Sequence, residues 1–242
     1  MQSINQEQKR GRIISAAIFI SILILSGCGT PGPKAPAYPK TEEANFHYLA
    51  GDLAMKQDRY EIAIKEFKQS ISLEPSPFLP HAWLATAYFA HQNFAKSALE
   101  FKNTTDIVGG VEFGGPFPIM QALSLMRSGD DVRAQELLKE WSTPSIVTNG
   151  VGSYYAGGGK PQGIWKVAAA YLLGDVAEDK YLRKAPQEDL SFHYLIIGIK
   201  NIVTNNRSKA ESSLRMALEI AHKGTWRHAI AKAELELVKT KR

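Results

Sequence analysis

Cys28 is the only thiol in this chain of 242 residues, and its surroundings are what give it chemical interest. Lys9, Arg10 and Arg12 precede an unbroken apolar or small run from Ile13 to Leu25, and Ser26-Gly27 leads straight into the cysteine. A thiol flanked by small residues is an open nucleophile for a modifying enzyme. One cysteine allows no intramolecular disulfide and no cysteine-rich zinc site. The basic segment, short apolar run and small exit residues describe a secretory signal over residues 1–27. At thirteen residues, two of them serines, the run falls short of the roughly 20 that span a bilayer as a helix.

Other chemistry is harder to find. The segment Asn149–Gly163 (NGVGSYYAGGGKPQG) invites a phosphate-loop reading, but Gly159-Lys160 would need Gly where Tyr154 stands and Ser or Thr where Pro161 stands. It reads as a Gly-rich loop between helices. The histidines (His47, His81, His91, His193, His222, His228) form no HExxH arrangement, and no G-x-S-x-G elbow occurs. Glu42-Glu43 reads as solvated charge at a segment boundary. We therefore expect no catalytic residue, no metal and no cofactor other than a lipid on Cys28.

Net charge is +5. Without residues 1–27 it is 26 basic against 23 acidic side chains, or +3, too weak to argue for nucleic acid. The excess concentrates at the end, where residues 207–242 carry nine Lys or Arg against four Glu. That pattern describes a solvated, ion-paired helix surface, or else steering toward an acidic partner.

Leu25-Ser26-Gly27-Cys28 resembles the bacterial lipobox. The resemblance implies a diacylglyceryl group on the Cys28 sulfur, cleavage before it and acylation of the new amine. Several acyl chains are what stable anchoring requires. By resemblance to the family's sorting pattern, in which Asp after the cysteine would favour inner-membrane retention, Gly29 implies the periplasmic face of the outer membrane. Pro31, Pro33, Pro36 and Pro39 make residues 28–43 a tether reaching roughly 40 Å from the lipid.

The elements beyond the tether come from a repeat. Gly51 and Ala85, Tyr60 and Phe94, Ala63 and Ser97, and Phe67 and Phe101 are each 34 residues apart. This resembles the tetratricopeptide repeat (TPR), in which small residues let two antiparallel helices approach and large ones fill the flanks. Repeats at 44–77 and 78–111 are followed by a third carrying Ala122, Gly129, Ala134, Leu138 and Trp141, so three units occupy 44–148. The Gly-rich loop at 149–163 leads to an irregular helical pair at 164–190. Gly198, Ala210, Leu214 and Ala217 mark a last repeat, and 191–242 ends in a basic amphipathic helix expected to cap the array. The expected fold is all-α, an α-solenoid of TPR helix-turn-helix units with a C-terminal capping helix.

The order of parts is similar to the NlpI-like lipoproteins. Tyr171-Leu172-Leu173-Gly174-Asp175 and the segment from Phe192 through Gly198, Ala210 and Ala217 carry that similarity, while the Gly-rich loop and proline-rich tether depart from it. The resemblance implies an outer-membrane scaffold that binds envelope proteins, peptidoglycan hydrolases or a periplasmic protease among them, often as a homodimer. The alternatives are a pilotin-like or secretion-complex assembly lipoprotein and, from another class, an envelope enzyme. On helix A of successive repeats the outward positions are Tyr48, Asp52 and Met55, then Ala82, Thr86 and Phe89 with Trp83 beside them, then Ile119, Leu123 and Met126. These are the expected partner-binding groove, apolar and aromatic and suited to a peptide.

Overall fold

How the chain reverses direction sets this architecture. In a computed structural model of the chain, residues 37–108, 115–142 and 162–240 are described. Cys28, the tether up to residue 36 and residues 149–161 of the Gly-rich loop lie outside them. Among the described residues there are eleven α-helices and no strand, as the all-α expectation requires. Helices α1 (Glu42–Lys56) and α2 (Tyr60–Leu73) form a first pair, α3 (Phe78–Ala90) and α4 (Phe94–Ile107) a second, and α5 (Phe117–Arg127) and α6 (Asp131–Ser142) a third. Helices α7 (Gln162–Leu173) and α8 (Glu178–Lys184) follow, then α9 (Leu190–Val203), α10 (Arg207–Ile220) and α11 (Trp226–Thr240). Each helix packs on the next in sequence.

One turn geometry recurs in all five pairs. Asp58, Gln92, Gly129, Gly174 and Asn205 each take the left-handed backbone conformation, with φ between 57° and 95°. The following N–H then donates to the carbonyl five residues back: Arg59 to Ala54, Asn93 to Tyr88, Asp130 to Leu125, Asp175 to Ala170 and Asn206 to Asn201, all at 2.8–2.9 Å. This is the six-to-one bond of a Schellman cap, which satisfies the last carbonyls of one helix. The side chains of Asn93, Asp130 and Asn206 then accept from the N–H groups of Lys96, Arg133 and Lys209, starting the next helix.

Side chains set how closely the pairs approach. A Cβ on Gly51 would lie 2.6 Å from the Phe67 ring, and one on Gly198 would lie 2.7 Å from Leu214. Both glycines precede their large partner by 16 residues, so the two pairs are packed alike. Ala85 approaches its partner helix closely enough for the Ser97 hydroxyl to donate to its carbonyl at 2.9 Å. Two braces repeat at the 34-residue period: His47 with Glu66 at 2.7 Å and His81 with Glu100 at 3.0 Å. The end of the tether is also fastened. Pro39 is buried, and the Lys40 and Thr41 N–H groups donate to the Glu74 carboxylate, holding it below its usual pKa range. Glu42 and Glu43, both exposed as solvated charge, form the first turn of α1 where the tether ends.

The last helix departs from its expected place. The sequence reading made α11 a cap on the end of the array, yet it also runs back onto α3. Ala229 joins the core cluster of Tyr48, Met55, Phe67, Leu84 and Tyr88 in the first two pairs. Glu234, 1% exposed, takes a two-point bond from Arg127 on α5 at 2.9 and 3.1 Å, and the Arg127 guanidinium stacks 4.4 Å from the Phe94 ring centroid. Lys232 pairs with Asp58 in the first turn. Much of the C-terminal basic excess is paired internally: Lys209 with Glu178, Arg215 with Glu211 and Arg227 with Asp189.

Two outcomes test this packing. Gly51→Leu should lower stability by about 1–3 kcal/mol, because Phe67 has nowhere to move; a thermal melt with no shift would contradict the close approach. Arg127→Ala should cost about 3–5 kcal/mol by removing the two-point cation from a buried carboxylate, whereas the double replacement Arg127→Met, Glu234→Leu should recover most of that loss in urea unfolding.

Candidate functional site

The return of α11 creates a cavity of about 270 Å³ among α3, α4 and the starts of α5 and α11. Trp83 and Thr86 line one wall, Phe101, Phe117 and Met120 another, and Trp226 and Arg227 the rim. The Thr86 hydroxyl donates to the Ala82 carbonyl at 2.9 Å, so its polarity is used within the helix. Trp83 stacks on Phe67 with ring centroids 6.4 Å apart. Arg227 reaches Asp189 at 2.8 Å and lies 5.4 Å from the Trp226 ring centroid. What remains for a ligand is an aromatic and aliphatic wall with one guanidinium at its edge. The volume is that of one or two large apolar side chains, and no carboxylate lines it.

Of the groove residues expected from the sequence, Trp83, Thr86 and the neighbouring Ala82 line this cavity. Met55, Phe89, Ile119 and Leu123 are instead buried core. Phe89 packs edge-on against Phe94 at 5.1 Å, so its truncation would cost stability rather than contact with a partner. Tyr48 is buried too, and burial first, then the nearby Tyr38 and Asp52, raise its pKa. Asp52 is half-buried and pairs with Lys56 at 2.6 Å. Met126 faces a separate cavity of about 310 Å³ with Leu138 and Leu172. The outward faces of helix A are covered because the next pair, or α11, packs on them. Phe117, Trp226 and Arg227 were missed, since nothing local in the sequence announces that residue 226 meets residue 83.

A second cluster holds the most perturbed groups. The Tyr181 hydroxyl lies 2.5 Å from His193 Nδ1, Tyr171 stacks on Tyr181 at 4.6 Å, and the Tyr171 hydroxyl donates to Glu178 at 3.0 Å. The Lys200 amino group lies 3.9 Å from the Tyr171 ring centroid. Burial, with the charge of Arg227 second, lowers the His193 pKa to about 4. Burial also raises the Tyr181 hydroxyl well above its ordinary value. Both side chains are fully buried, so they form a neutral hydrogen-bonded pair between helices and are closed to substrate. Among the described residues no group of three His, Cys, Asp or Glu could hold a metal ion, and no helix is long and apolar enough to cross a membrane.

His193 gives the protein a pH dependence of known sign. Its folded pKa lies below the unfolded value near 6.5, so its contribution is complete above pH 6.5 and is lost as pH falls toward 4. The loss should reach about 3 kcal/mol at most, from roughly 1.4 kcal/mol per unit. Urea midpoints at pH 7 and 4.5 should differ more in the native protein than in His193→Phe; equal differences would exclude His193 as the source.

Comparison with known proteins gives no matching family model and no matching curated sequence.

Proposed function

We propose that this chain is an acyl-anchored, outer-membrane TPR lipoprotein, and that it is a scaffold that binds other envelope proteins through the cavity beneath α11. The observation that carries this reading is the cavity itself: an apolar, aromatic recess set among repeating helix pairs, of a size to take a side chain from a partner. Four features support the wider reading. They are the 34-residue period, the Schellman turn repeated in five pairs, the His–Glu braces at that same period and the Leu25-Ser26-Gly27-Cys28 segment. In this account residues 1–27 are removed, lipid on Cys28 holds the chain at the membrane, and the tether presents the helical body to the periplasm. The partner inserts an aromatic or aliphatic residue between Trp83 and Phe117, with Trp226 closing over it.

The test is cross-linking of the tagged full chain in intact envelopes, followed by mass spectrometry of captured proteins. Peptidoglycan hydrolases or a periplasmic protease are the expected partners. Pilus or secretin components would make the protein an assembly lipoprotein instead. Trp83→Ala should weaken capture by the equivalent of about 1–3 kcal/mol if the partner uses the cavity. Undiminished capture by a variant that still folds would move the site elsewhere.

A further inference from the structure

The free part of the tether is shorter than its sequence suggests. The Ala37 carbonyl accepts from the Leu79 N–H at 3.1 Å, Pro39 is buried, and the Lys40 and Thr41 N–H groups are held by Glu74. The chain is thus fixed to the helical body from residue 37 onward. Only residues 28–36 separate Cys28 from that fastening, a length of about 30 Å at full stretch. Tyr38 sets its ring 5.7 Å from that of Tyr48, so the fastening lies beside α1. If Cys28 carries lipid, which is the anchor reading proposed above and the one on which this inference rests, this edge of the body stays within about 30 Å of the bilayer.

The helix at that edge has an uncovered apolar face. Ala44, Tyr48, Gly51 and Met55 of α1 point into the core. On the opposite side Phe46 is 66% exposed, Leu49 54% and Leu53 56%, spaced three and four residues apart. Among the described residues no other helix exposes three large apolar side chains, and Tyr38, 58% exposed, adds an aromatic ring at the end of the tether. Single exposed apolar residues are ordinary, whereas a row of three is a seam made for an apolar neighbour. We propose that the Phe46–Leu49–Leu53 face of α1 rests on the bilayer to which Cys28 is anchored, its side chains entering the boundary between headgroups and acyl chains. A row of large apolar side chains with a tyrosine at its margin suits that boundary. Glu42, Glu43 and Lys40 border the row, so no basic excess draws it to anionic lipid, and apolar burial is the driving force. From free solution three side chains would hold a bilayer weakly. On a short tether the contact is intramolecular, with an effective concentration on the order of millimolar. The contact does not depend on what the cavity beneath α11 binds.

The experiment uses the chain isolated from envelopes and returned to phosphatidylcholine vesicles with nitroxide on their acyl chains. A thiol-reactive NBD dye is placed at Leu49→Cys and, as a control on α6, at Val132→Cys, where the native residue is 70% exposed. The unaltered chain should take up no dye, because lipid occupies its only thiol; dye on Cys28 would refute the anchor and this proposal with it. Where Cys28 is blocked, the nitroxide lipid should quench the dye at Leu49→Cys several-fold more than at Val132→Cys. The difference should persist at high salt and with phosphatidylglycerol added. Equal quenching at both sites would overturn the proposal and leave the anchor standing. So would a dye at Leu49→Cys that is shielded from aqueous iodide yet untouched by the lipid quencher, the signature of a protein on that face. Adding Phe46→Asp and Leu53→Asp should bring quenching at Leu49→Cys down to the control level while the chain still floats with the vesicles; undiminished quenching would count against the proposed face. All of these positions are exposed, so an unchanged helical circular-dichroism spectrum separates loss of contact from loss of fold.

Discussion

A carboxylate as buried as Glu234 requires a cation held tightly against it, and Arg127 supplies one from 107 residues earlier in the chain. The two-point geometry fixes the roll and position of α11 relative to α5. With α11 held there, Ala229 packs among the first two pairs, Lys232 reaches Asp58, and Trp226 is carried to the edge of the recess lined by Trp83 and Phe117. The cavity is thus a product of one ion pair and the helix it anchors. Without that return the same residues of α3 would form one side of an open surface.

Beneath this long-range closure lies a local rule applied five times. A left-handed residue ends one helix, its successor closes the six-to-one bond, and an Asn or Asp at three of the turns opens the next helix. Gly51 and Gly198 then let a large side chain from the second helix lie directly on the first. The insertions, one after α4 and one between α6 and α7, leave this unit intact because the geometry is contained within each pair. The same rule explains the two faces of α1. Its inner face meets α2 and α3, while no earlier pair exists among the described residues to cover Phe46, Leu49 and Leu53.

Much of the array was legible in the sequence. The 34-residue period located α1 to α4, the small residues Gly198 and Ala210 marked α9 and α10, and Gly174-Asp175 marked the turn of the middle pair. The repeated His–Glu braces were equally readable, since His47 and His81 recur at the repeat period, as do Glu66 and Glu100. The expected groove was less legible. Helical spacing predicts which side of a helix a residue occupies but not which later helix will cover that side. Phe89 and Leu123 were therefore assigned outward, although α3 and α5 are enclosed by their neighbours.

By itself, the sequence determined the helical class, the positions of the pairs and the turns between them. Each rests on neighbours within a few residues or on a period internal to the chain. Only the tertiary structure decided the course of α11, the partner of Glu234, the burial of His193 and the cavity between Trp83 and Trp226. The ion pair and the cavity depend on groups more than a hundred residues apart, and the burial of His193 on Trp165, Tyr181 and Arg227 from neighbouring helices. All meet in a desolvated interior, where an ion pair or a neutral imidazole persists only if its surroundings provide for it.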